Sequence, residues 1–290
     1  MQATNTKKPF NITFYLLIIP VLLWLVFLIV LPHLDLLISS FKIENNNGDM
    51  VFSFDNYLAF FKEKIYWLTF VKTASYAISV TVLAFVITFP IAFYLTKVIP
   101  KKNAAFFILL LLIPLWVGEL VTVYGWMVLL GDNGIINHAL MTIGIIDKPI
   151  NMLYTNFSMI LGLLYMSMLF MVVPVMSTLE SLDDSLIEAA SDLGASKWTI
   201  FRTIIIPYSM PGIVSGAIIV FMLVIGDYLA PNILGGKSSL WFTEQIYNKF
   251  LTTFNWNEGA AFGFLLLMLS SGIIWLALKL SGQKLDKVGS

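Results

Sequence analysis

Cysteine is absent from all 290 residues, so disulfides, thiolate metal ligands and thiol nucleophiles are excluded. Only two histidines occur, His33 and His138, and neither has a partner at metal-ligand spacing such as HExxH. Charge is scarce too. Asp, Glu, Lys and Arg make up 12% of the chain and sum to zero net charge. There is thus no global field to gather nucleic acid, and no basic stripe interleaved with aromatics to bind it. Enzyme signatures are missing as well. No GxSxG nucleophile elbow is present. The string GGKS at Gly235 to Ser238 resembles the end of a phosphate loop, but the glycine required five residues before Gly236 is Pro231. Any nucleotide hydrolysis serving this chain must come from a separate subunit.

What fills the chain instead is apolar sequence. Hydrophobic residues account for 59%, far more than a soluble domain can hide, and the chain is an integral membrane protein. Runs long enough to cross about 30 Å of hydrocarbon at about 1.5 Å per residue lie near residues 12–33, 72–96, 104–130, 155–178, 209–230 and 259–280, predicting six spans. The first follows Lys7 and Lys8 but is too long for a signal peptide and lacks a small-residue cleavage site, so it reads as an anchor. Ten basic residues (Lys7, Lys8, Lys97, Lys101, Lys102, Lys197, Arg202, Lys279, Lys284 and Lys287) fall on one side of these spans, against seven on the other. Excess Lys and Arg mark the cytoplasmic flank, which predicts that both termini are cytoplasmic. The longer outer segments, near 40–68 and 231–258, read as folded caps. Pro20, Pro90, Pro114 and Pro174 fall inside spans, where a neighbouring helix or a cavity must satisfy the freed backbone groups.

The most telling stretch is polar: EAASDLGASKWTIFRTIIIPYSMP, Glu188 to Pro211, set between two spans on the cytoplasmic side. Leu182, Leu186, Ile187, Ala190 and Leu193 recur at helical spacing, Ser185 and Glu188 have capping-box spacing, and Gly194 suits a left-handed helix stop. A second helix is expected from near Ser196 through Trp198, Phe201 and Ile205, ending at Pro207. Ala189 and Ala190 leave bare backbone that another protein can approach closely. Glu188, Ala189, Ala190, Gly194, Ile204, Ile206 and Pro207 stand in register with the EAA loop, and the segment resembles that loop in permeases of ATP-binding-cassette importers. The resemblance implies an all-α polytopic fold of the type I importer permease, with six transmembrane helices and a cytoplasmic EAA helix-turn-helix. It further implies that those seven residues couple the chain to two ATPase subunits, which carry the ATP and Mg, with no cofactor in this chain. A second homologous permease, an extracytoplasmic solute-binding protein and membrane lipid are the other implied partners, with no nucleic acid. The implied location is the bacterial inner membrane. The boundaries read as residues 1–67 for the N-terminal tail, first anchor and outer segment, 68–282 for the permease core, and 283–290 for a cytoplasmic tail.

Within that class the chain is most similar to the first permease of spermidine/putrescine importers. The similarity rests on Tyr124-Gly125-Trp126, on Leu130 to Asn137, on Leu179 to Asp183 and on Gly226 to Gly236. The family usually has Arg before a Tyr-Ala-Trp, where this chain has Val121-Thr122-Val123 and Gly125 in place of Ala. Two carboxylates, Glu119 and Asp227, fall in predicted spans, where a charge costs about 2.5–3.5 kcal/mol and usually faces a bundle interior or an aqueous path. With Tyr124, Trp126 and Tyr228 they form an acid-plus-aromatic set suited to an organic cation, and these five are the candidate path residues. The alternatives are a helix-end or interface role for each carboxylate, an importer of another small organic solute, or an ion-coupled secondary transporter using Glu119 and Asp227.

Overall fold

The computed structural model describes residues 12–45, 48–236 and 239–281. Lys7, Lys8, Lys284 and Lys287, the tail 283–290 and Ser238 lie outside the described residues. Helix α1 (Ile12–Leu25) passes through a π-turn at Val26–Val30 into α2 (Leu31–Ser40), forming the first span. A small antiparallel hairpin comes next, β1 (Lys42–Glu44) against β2 (Met50–Phe52), with Ile43 opposite Val51. Beyond it lie α3 (Asp55–Lys62) and the long α4 (Lys64–Phe93), which ends in a π-turn at Tyr94–Val98. Helix α5 (Lys101–Leu112) tightens into a 3₁₀ turn at Ile113–Trp116 and leads into α6 (Glu119–Leu130) and α7 (Ile135–Thr142). Then come α8 (Asn156–Glu180), α9 (Asp184–Asp192) and α10 (Lys197–Ile200). A π-turn at Phe201–Ile205 joins α10 to α11 (Ile206–Gly226). The chain closes with α12 (Leu229–Leu234), α13 (Phe242–Leu251) and α14 (Trp256–Ser281). Among the described residues the regular structure is helical apart from the hairpin.

The centre of the molecule is the packing of α8 on α11 and α4. Lipid is as apolar as leucine, so helices in a membrane associate through close van der Waals fit, which small residues permit. Gly212 and Gly216, spaced as GxxxG on α11, supply that fit. A Cβ on Gly212 would stand 2.4 Å from the Pro174 carbonyl oxygen, and one on Gly216 2.8 Å from the Met171 sulfur. Val80, Ala84, Met171, Val175 and Val220 fill the seam and are fully buried. The first span differs: no described residue in its apolar window is buried, and it packs on the bundle mainly through α2, against α14.

The outer segments are folded. Asn56 donates to the carbonyls of Ser40 (2.9 Å) and Lys42 (2.8 Å), pinning α3 to the end of the first span. Phe60, Phe70, Phe242 and Phe262 meet mostly edge to face at 5.5 to 6.3 Å, the geometry their quadrupoles favour. Beside them Lys249 and Glu258 form an ion pair at 2.7 Å. Asn137, fully buried, clamps the α6–α7 turn by donating to the Gly131 and Ile150 carbonyls and accepting from the Ile150 N–H.

Two expectations need correction. Residues 104–130 do not form one continuous span. Among the described residues five helices are long and apolar enough to cross, and this stretch is instead a helix pair, Lys102–Trp116 and Glu119–Thr142, bent by 95°. Pro114 and Gly118 are the cause: one lacks a donor, and Val117 and Gly118 turn extended at ψ 124° and 145°. Conversely, Pro207 does not end the helix that starts after Ser196. Lys197–Gly226 is one 30-residue span, because the π-turn at 201–205 bonds i to i+5 and Ile206 donates to the Phe201 carbonyl, absorbing the proline.

Candidate functional site

Most of the candidate residues gather at two places, the α9–α10 joint and the far end of α11. The first is the joint between α9 and α10. Asp183, rather than Ser185, caps α9, its carboxylate accepting from the Ser185 N–H at 3.0 Å. That hydrogen bonding holds the Asp183 carboxyl below its ordinary value. At the other end Gly194 has φ +81°. Its N–H donates to the Ser191 carbonyl and that of Ala195 to the Ala190 carbonyl, the two-bond pattern of a left-handed helix stop. Ser196 then caps α10 by accepting from the Thr199 N–H. The joint is therefore a sharp, fully hydrogen-bonded corner.

The apolar residues of that segment divide by depth. Leu182 is buried; Ile187, Ala190, Ile204 and Ile206 pack partly against the core. Glu188, Ala189, Gly194 and Pro207 are exposed. So are Leu186, Leu193 (88%) and Trp198 (68%), three large side chains that motif matching omitted and that extend the bare strip at Ala189. Trp198 stacks on Phe201 at 5.5 Å, and Phe201 meets Phe89 of α4 edge on. Exposed apolar patches of this kind mark protein or membrane contact surfaces.

The second place is a cavity of about 570 Å³ at the broken span. Pro114, Val117, Gly118, Glu119 and Thr122 form one wall, Tyr165, Ser167 and Phe170 of α8 another, and Asp227 and Tyr228 the third. Glu119 opens α6, where a carboxylate complements the helix dipole. Asp227 sits where α11 ends. One carboxylate oxygen accepts from the Ala230 N–H at 3.1 Å, capping α12, and its carbonyl accepts from the Thr243 hydroxyl at 2.6 Å. Glu119 and Asp227 both line this cavity. Tyr228 stacks on Tyr247 at 4.2 Å with rings 17° from parallel.

Of the five candidate path residues, Glu119, Asp227 and Tyr228 share this cavity. Trp126 stands behind it, edge on to Tyr165 at 5.4 Å. Tyr124 is half exposed and off the lining. Five residues at about 100° each carry it about 140° round α6 from Glu119, while Thr122 and Trp126 follow Glu119 along one face. Tyr165 and Ser167 were not singled out from sequence, since polar side chains within an apolar helix are usually satisfied internally, as Ser167 is by the Leu163 carbonyl.

Residues 103–280 match the family described as binding-protein-dependent transport system inner membrane component. The chain belongs to that family. It is a permease subunit of an ATP-binding-cassette importer, a transport subunit rather than an enzyme, and a multi-pass inner-membrane protein. It is 34% identical over 289 residues to the spermidine/putrescine transport system permease protein PotB of Salmonella typhimurium (strain SL1344), covering 98% of this chain and 99% of that one. To PotB of Escherichia coli (strain K12) the identity is 33% over 275 residues, covering 93% and 99%. Among solved structures, the fold matches a chain of a bacterial alginate ABC transporter in complex with an alginate pentasaccharide-bound periplasmic protein. There the TM-score is 0.72 at 16% identity, with 96% of each chain covered.

Proposed function

We propose that this permease forms half of the translocation path for a small organic cation of the polyamine class, spermidine or putrescine. The carrying observation is the cavity at the broken span, where Glu119 and Asp227 face one space beside the Tyr228–Tyr247 stack. Two carboxylates supply charge pairing, aromatic faces supply cation–π attraction, and the freed backbone groups near Gly118 add polar lining. The PotB relatives' substrate supports the same class.

In this reading the chain pairs with a second, similar permease and sits on two ATPase subunits that hold the ATP and Mg. An extracytoplasmic binding protein delivers the solute. Both termini and the α9–α10 corner face the cytoplasm. ATP-driven closure of the ATPases displaces α9 and tilts the spans so that the cavity opens outward, and hydrolysis resets it. The ATPases must therefore contact α9 differently with and without ATP, since a ligand shifts an equilibrium only by differential affinity. Glu119→Gln and Asp227→Asn preserve shape and hydrogen-bonding capacity while removing charge. Uptake of labelled spermidine by the assembled transporter should fall about tenfold in each and further in the double variant, with thermal stability nearly unchanged. Equal spermidine uptake by parent and double variant would remove the cavity from the path.

A further inference from the structure

We propose that Lys97 is a positioning residue, a latch through which the coupling joint drives α4 as well as α11. The inference rests on the reading of α9 as the ATPase dock. Lys97 sits in the π-turn at the inner end of α4. Basic residues at a span's cytoplasmic end ordinarily extend into water. This one folds back instead: its side chain is 8% exposed, and its ammonium donates to the Leu182 carbonyl at 2.5 Å and the Asp184 carboxylate at 2.7 Å. Burying an ammonium is costly unless acceptors surround it, and both acceptors belong to the entry of α9.

The same four-residue entry is held from the other side. Tyr208, near the start of α11, donates its hydroxyl to the Ser181 carbonyl at 2.9 Å. The root of α9 is therefore gripped by two spans at once. Each span carries a π-turn at that level, Tyr94–Val98 and Phe201–Ile205, and Phe89 and Phe201 touch across the gap at 5.7 Å. One extra residue per turn rotates the next stretch of helix by about 100°, which is how the end of α4 aims an ammonium at the loop.

The consequence lies beyond Lys97. Two residues on, Ile99 and Pro100 turn extended, and α5 begins. Helix α5 leads to Pro114, Gly118 and Glu119, one wall of the cavity. Displacement of α9 reaches the opposite wall, Asp227, through the continuous α10–α11 rod. Through Lys97 it reaches the broken span by way of the α4–α5 elbow. The latch makes both walls answer to one docked helix.

The absence of native cysteine permits a direct test in the assembled transporter with its ATPase subunits. Spin labels at Trp116→Cys, beside the break, and Met222→Cys, on α11, report the separation of the two walls. A non-hydrolysable ATP analogue should change that distance in the parent. In Lys97→Met the change should be lost while the ATPase chain still copurifies and hydrolyses ATP, and Lys97→Arg should restore it. Asp184→Asn should weaken the change, and Lys97→Met with Asp184→Asn should be no worse than Lys97→Met alone. An undiminished distance change in Lys97→Met, or independent effects of the two substitutions, overturns the latch. So does loss of the ATPase chain in both Lys97 variants, which would make Lys97 a mere support of the dock. Failure of the docking reading itself looks different: Ala189→Trp would then leave ATPase copurification intact.

Discussion

Prolines at 114 and 207 each interrupt a run of apolar sequence, yet one breaks a span and the other is carried through. Around Pro114 little packs. Ile113, Leu115 and Trp116 are 55%, 48% and 89% exposed, and the chain follows local preference into an extended joint with a 95° bend. Around Pro207 the neighbours decide. Ile205 and Ser209 are buried, and α11 is seated on α8 and α4 through Gly212 and Gly216. Leaving that seat would cost more than the helix saves by stopping, so the backbone widens into a π-turn and continues. The cavity wall gains an extended joint at Val117 and Gly118; the other side gains a continuous rod from the α9–α10 joint to Asp227.

The largest expected effect comes from spoiling the dock at the rod's end. Gly194→Val forces a branched side chain into a left-handed backbone, costing about 1–2 kcal/mol locally, and misdirects α10. Ala189→Trp obstructs close approach. Uptake should fall to background in both while membrane insertion, measured by fractionation, stays normal; parental uptake in both would break the coupling assignment.

Straightening the broken span should come next. Pro114→Leu removes a helix penalty of about 3 kcal/mol and Gly118→Ala about 1 kcal/mol, and a Cβ on Gly118 meets nothing within 4 Å. Together they bias the pair toward one continuous helix that carries Glu119 out of the cavity. Uptake should drop about tenfold or more, and a spin-label pair on α5 and α6 should report the lost bend. A retained bend with normal uptake would mean that surrounding structure, not local preference, holds the break.

The smallest effect is assigned to Pro207→Ala. If packing already overrides the proline, restoring the N–H at this exposed position changes stability by no more than about 0.5 kcal/mol and uptake by less than twofold. A large loss would show that the proline itself sets the π-turn and the rod's direction.

Much of the joint was legible in sequence because its signals are local: Gly194 at φ +81° and the Ser196 cap depend on residues within one turn. The cap of α9 lies two residues before the one that spacing favours, since Asp183 and Ser185 both suit the role and it is the Asp183 carboxylate that accepts from the Ser185 N–H. The cavity was half legible. Glu119, Asp227 and Tyr228 stand out as polar residues in apolar runs, but their meeting depends on a break at Pro114 that hydropathy does not register.

By itself, the sequence determined that the chain lives in a membrane, roughly where it crosses, and that a charged, jointed segment waits on one side. Those properties depend on transfer free energy and on caps, both set by composition within a few residues. Only the tertiary structure decided which proline breaks its helix, which face of α6 lines the cavity, and that Lys97 reaches across 85 residues to Leu182. These outcomes are settled by packing between distant segments, whose energies exceed the local preferences that a sequence displays.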